Sequence, residues 1–134
     1  MNKLAKILTA TAIVAGWTAL SAQTPSFHFY GPISRFLTPE SANGNQTAIL
    51  CFDNPADLGV SGTIYSLIGT KIASIGPNMD ATGTGCPTKF PGQAKPQYLG
   101  WDGRANGSVA HGGVYLYVVT AGAKSYSGTV VLVR

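Results

Sequence analysis

Charge is what this sequence has least of: Asp, Glu, Lys and Arg together make up 10% of its 134 residues, and only five of them are acids. Surface helices need charged, helix-favouring residues on their solvent side, and beyond residue 22 no segment reads as an amphipathic helix. Histidine and cysteine are scarcer still, two of each: His28, His111, Cys51 and Cys86. A zinc or comparable site needs several such ligands at close spacing, so no metal and no cofactor is expected. The acids Glu40, Asp53, Asp57, Asp80 and Asp102 stand mostly beside turn residues. Neither a nucleophile elbow, a metal-hydrolase pattern nor a phosphate-cradling glycine loop before a helix is present. With no acid, base and nucleophile set to assemble, the chain is not expected to be an enzyme.

Glycine (17) and proline (8) are plentiful instead, beside threonine, valine and tyrosine. Such a composition at this length suits one small all-β domain with many tight turns. Residues 1–22 stand apart from it. Lys3 and Lys6 precede an apolar stretch from Ile7 to Leu20, and Ser21-Ala22 follow, the pattern of a secretory signal cleaved after Ala22. The stretch is about 14 residues where a spanning helix needs about 20, and no cysteine follows it to carry a lipid. The expected location is therefore the periplasm, the cell surface or the extracellular space, with no membrane span left after cleavage. The net charge of +4 falls to +2 after residue 22, seven basic residues against five acids. Basic residues scattered singly make no stripe for phosphates, which excludes nucleic acid as a partner.

In an exported chain, Cys51 and Cys86 are expected to form one structural disulfide. It closes a loop of 36 residues, worth roughly 3 to 4 kcal/mol on the chain-entropy account.

Along the remaining chain, residues 23–34 are aromatic and proline-punctuated, an extended arm or a first edge strand. A short strand is expected near Ile33–Leu37, and Thr47–Phe52 reads as a buried strand between turn clusters. Val60–Leu67 and Lys71–Ile75 form a hairpin around Gly69. Residues 76–96 carry four prolines and no apolar period, and are expected to be a long surface loop that the disulfide pins to the strand bearing Cys51. Tyr98–Trp101, Val114–Thr120 and Tyr126–Val133 complete about seven strands, with turns at Asp102-Gly103, Asn106-Gly107 and Ala121-Gly122. Two packed antiparallel sheets accommodate these uneven strands better than a closed barrel.

The segments Ile64 to Thr70, Trp101-Asp102-Gly103-Arg104, Gly113-Val114-Tyr115 and Val131 to Arg134 resemble the immunoglobulin-like module of flagellar hook-capping proteins and of exported bacterial proteins with gliding-motility or type IX secretion tails. The resemblance spans nearly the whole chain beyond residue 22 and implies an immunoglobulin-like β-sandwich, residues 35–134, with a scaffold, docking or sorting role. Two positions depart from it: Ser66 and Thr70 replace the Asp and Arg of the family hairpin. Thr38 to Gln46 lacks the aspartates of related calcium-binding loops, so no calcium site is expected there.

Trp101 is expected in the core, Asp102 as a hydrogen-bond acceptor within its own turn, Gly103 in the left-handed conformation, and His111 in an exposed loop. Tyr115 and Tyr117 share a strand face with Val119, and alternation does not say whether it points inward, under the long loop, or outward. If outward, Tyr115, Tyr117 and Tyr98 make a carbohydrate platform. Phe27, Phe29, Tyr30 and Tyr117 are the candidate interaction residues, the first three on an arm able to add a strand to a neighbour. The expected function is a secreted, non-catalytic module that docks to a protein partner or associates with copies of itself, with glycan binding as the second reading.

Overall fold

Alternation dominates the longest strand: Tyr115, Tyr117, Val119 and Ala121 are buried, and Val114, Leu116, Val118 and Thr120 between them are not. A strand with one buried face must find a second sheet to cover it, and the computed structural model, which describes residues 26–134, supplies one. The 22 residues read as a signal lie outside the described residues. No helix among the described residues is long and apolar enough to cross a membrane.

The strands are β1 (His28–Pro32), β2 (Phe36–Leu37), β3 (Ala48–Asp53), β4 (Val60–Ser66), β5 (Lys71–Ile75), β6 (Met79–Asp80), β7 (Pro96–Trp101), β8 (Arg104–Ala105), β9 (Ser108–Val109), β10 (Gly113–Ala121) and β11 (Lys124–Leu132). One helical turn, α1 (Cys86–Lys89), precedes β7. One sheet runs β1-β3-β7-β6 and the other β2-β11-β10-β4-β5, with β8-β9 as a separate hairpin. All pairs are antiparallel except β2, which joins β11 in parallel. The two-sheet sandwich is thus as expected, and six of the expected strands return as β3, β4, β5, β7, β10 and β11.

Between the sheets lie Leu50, Phe52, Leu99 and Trp101 from one side and Ile64, Tyr115, Tyr117, Val119, Val130 and Leu132 from the other. Tyr117 lies across Gly128, its partner in the β10–β11 register, where a Cβ would overlap the phenol. A polar knot seals the end of the core nearest Val60. Asn54 is fully buried; its Nδ2 donates to Gln97 Oε1 (2.7 Å) and to Leu58 O (2.9 Å), and its Oδ1 accepts from Leu58 N. Asn78 Nδ2 donates to the same Gln97 oxygen at 2.6 Å.

Two local expectations change. The strand near Ile33–Leu37 shortens to Phe36–Leu37, because the Ser34 hydroxyl bonds both the N–H and the C=O of Phe36 and turns the chain. Residues 76–96 are a folded cover, not a loose loop: β6 extends the four-stranded sheet, and Pro87 starts α1, where its missing N–H costs nothing. Cys86 bonds Cys51 with Cα atoms 5.6 Å apart, as expected. Around that bond a second, smaller core forms on the outer side of the four-stranded sheet, from Ala81, Tyr30, Ile33, Ile49, Phe90 and Tyr98.

The aromatic segment takes the second of its two expected forms, an edge strand. It is β1, paired with β3 of its own sheet. Phe27 and Phe29 point inward, onto Phe52, Tyr117 and Tyr126 with ring centroids 5.2 to 5.9 Å apart. A bulge at Gly31, whose φ is +104°, shifts the register, and Tyr30 stacks on Phe90 of the cover at 4.8 Å.

Candidate functional site

The residues singled out in the sequence mostly serve the fold. Trp101 is buried, donates its indole N–H to Arg104 O (3.1 Å) and meets Tyr115 edge-on at 5.1 Å. Asp102 Oδ1 accepts from Arg104 N at 3.0 Å, and Gly103 takes φ +78° where a Cβ would strike Pro39, Leu37 and Leu132. Arg104 Nη1 reaches Gly107 O across the β8–β9 hairpin. Gly113 and Val114 open β10, and the Tyr115 hydroxyl donates to His111 O, leaving the His111 side chain exposed.

The candidate interaction residues are corrected. Tyr115 and Tyr117 are 7% and 5% exposed and sit between the sheets, not under residues 76–96 and not outside. Burial pushes the Tyr117 phenol above its ordinary value. Tyr98 belongs to the opposite surface of the other sheet, so the three tyrosines cannot form one carbohydrate platform. Phe27, Phe29 and Tyr30 are engaged by their own domain, because pairing β1 with β3 satisfies main-chain groups that a free arm would leave open. All five acids have local partners. Glu40 holds Arg134 and Asp57 holds Lys95, Asp53 accepts from the N–H groups of Ala94 and Lys95, Asp80 from Thr82, and Asp102 from Arg104.

What remains without a fold partner is the outer face of the five-stranded sheet. Its cross-strand register lays down rows. Phe36, Val131 and Val114 form the first, and Leu67, one residue beyond β4, lies past its end. Thr129, Leu116, Tyr65 and Lys71 form the second. Ser127, Val118, Thr63 and Ser74 follow, then Ser125, Thr120 and Ser61. The face is therefore apolar toward the β4–β5 turn and hydroxylated toward the other end. Phe36 is 60% exposed, Leu67 68% and Ile68, at the tip of the turn, 90%. Val133 and Val114 are also exposed. Single exposed apolar residues are ordinary on protein surfaces; a contiguous group is not.

Electrostatics single out the same face. None of the five strands contains an acid. Arg35 sits at one side of the apolar rows with Nη2 on Thr129 Oγ1 (3.1 Å), and Lys71 closes the second row at the other. Sequence reading missed this surface because its residues are drawn from five separated segments. The absence of acids from all five of those segments was the signal available for it.

A shallow, open cleft of about 550 Å³ lies between β5 and β7, bordered by Ser74, Met79, Tyr98, Gly100, Asp102 and Arg104. Only one aromatic ring besides the buried Trp101 lines it, and its acid is already engaged in the Asp102 turn. Among the described residues no group of three His, Cys, Asp or Glu side chains converges to hold a metal. No protein-family model matches the chain, and no curated protein or solved structure matches it either.

Proposed function

We propose that this chain is an exported, non-catalytic immunoglobulin-like docking module of the bacterial envelope or extracellular space, and that it docks through the outer face of its five-stranded sheet. The observation that carries the reading is the contiguous exposure of Phe36, Val114, Leu67 and Ile68 on a domain whose other large apolar side chains are nearly all packed. The buried disulfide suits an oxidising compartment. The resemblance of the Trp101–Arg104 turn and the Gly113–Tyr115 strand to hook-capping and type IX tail modules supports a scaffold or docking role over a catalytic one. The glycan reading loses its platform with Tyr115 and Tyr117 in the core.

The test asks whether the exposed residues serve the fold. Replacing Phe36, Leu67 and Ile68 together by Ser changes unfolding free energy by no more than about 1.5 kcal/mol if they serve only docking, since surface substitutions typically stay within about 0.5 kcal/mol each. A loss above about 3 kcal/mol in urea titration shows that they pack within the domain, and ends the docking reading.

A further inference from the structure

Resting on that docking surface, we propose its partner: the surface of an anionic lipid bilayer, entered tip-first by the Leu67–Ile68 turn.

Charge selects the class of occupant. Arg35 and Lys71 flank the apolar rows, and no acid lies in the five strands to balance them. In a two-fold stack of this face on a second copy, cations meet cations: an axis along the strands sets Arg35 over the partner's Lys71 side, and an axis across them sets like residue over like. A second copy is thus electrostatically disfavoured, and an anionic occupant is favoured.

The polarity gradient then selects lipid over an acidic protein. Along the strand direction the face passes from Leu67 and Ile68, through Phe36 and Val114 and then Thr129, Leu116 and Tyr65, to a row of Ser127, Val118, Thr63 and Ser74 and a last one of Ser125, Thr120 and Ser61. A protein interface sets its apolar residues at the centre of a polar rim, whereas here they stand at one end, matching a membrane interface graded from hydrocarbon through headgroup to water. The most exposed pair projects from a hairpin tip. A fluid acyl boundary receives a projecting apolar pair without a matching pocket, while a tyrosine and long basic side chains behind it settle at headgroup level.

The experiment is vesicle flotation of the secreted chain with its disulfide formed, using phosphatidylcholine vesicles with and without about one third phosphatidylglycerol. The wild-type chain is expected to float with the anionic vesicles and to be released at about 1 M salt, where the screening length falls to about 3 Å. The L67S/I68S variant should partition at least about tenfold more weakly, from the loss of two apolar side chains. R35E/K71E should also bind weakly but lose its salt response. Circular dichroism confirms that each variant is folded. No flotation of the wild-type chain, equal binding to neutral and anionic vesicles, or unchanged binding of L67S/I68S overturns the lipid assignment. Because the urea test uses no vesicles, such a result leaves the docking reading standing with an acidic protein as partner, whereas a urea-test failure removes both.

Discussion

Removing the Cys51–Cys86 bond by replacing both residues with alanine tests the account of residues 76–96 as a folded cover. The closed loop of 36 residues is worth about 4 kcal/mol of denatured-state entropy at 25 °C. For a domain of roughly 110 residues, unfolding entropy near 2.1 cal/mol/K per residue converts this to a fall in melting temperature of about 15 to 20 °C. Both sulfurs are fully buried among Ala81, Tyr30, Phe90 and Tyr98, so alanine is the right substitute; serine would add a buried hydroxyl without a partner. Urea titration followed by circular dichroism measures the loss, and the slope should steepen because an unlinked denatured chain exposes more surface. Hydrogen exchange should show amides of residues 76–96 losing protection before those of β10 and β11. A double variant less than about 1 kcal/mol weaker than the parent would refute the reasoning, by showing that the second core holds the cover unaided.

Three further outcomes follow from the packing. Asn54→Ala should cost about 2 to 3 kcal/mol in the same titration, because it strips the half-buried Leu58 N–H of its acceptor and the buried Gln97 of one donor. Gly128→Ala should cost about 1 to 3 kcal/mol by driving a methyl into the Tyr117 ring, and a Tyr117→Leu background should recover most of that increment in a double-mutant cycle. The Asp57 carboxyl is held below its ordinary value by its hydrogen bond and ion pair with Lys95, and that of Asp80 by the Thr82 N–H and hydroxyl. Folded values below unfolded ones contribute stability that is complete above the unfolded value near 4 and lost as the pH falls through the folded values. Carboxyl NMR titration should find both midpoints low, and D57N/D80N should flatten the acid limb of the stability profile.

How far the sequence speaks depends on the kind of information each segment carries. Turn chemistry is local, so Asp102-Gly103 and Asn106-Gly107 are readable as written, and Asn106 and Gly107 indeed both take positive φ at the β8–β9 turn. The period of β10 is local too, but not its direction. Tyr115, Tyr117 and Val119 alternate with Val114, Leu116 and Val118, both sets apolar, and only the opposing Phe29, Phe52 and Trp101 decide which faces in. The arm was ambiguous for a related reason: whether β1 pairs at home depends on β3, some twenty residues later. Residues 76–96 gave no period because one helical turn and a two-residue strand are too short to have one; side-chain contacts around the disulfide shape them. The Asn54–Gln97–Asn78 knot joins three distant segments and has no pattern to find in a single sequence.

The cover gives the sandwich a back as well as a front. Were both outer faces bare, each molecule would offer two faces to dock through, and a two-faced unit can pile into open-ended stacks. With Phe90 and its neighbours laid over Cys51 and Tyr98, one side is sealed, and docking through the other, as proposed above, would be monovalent. Reduction that lifts the cover would restore the second valence. On that reading, the thiol state of one bond decides whether the domain presents one bare face or two.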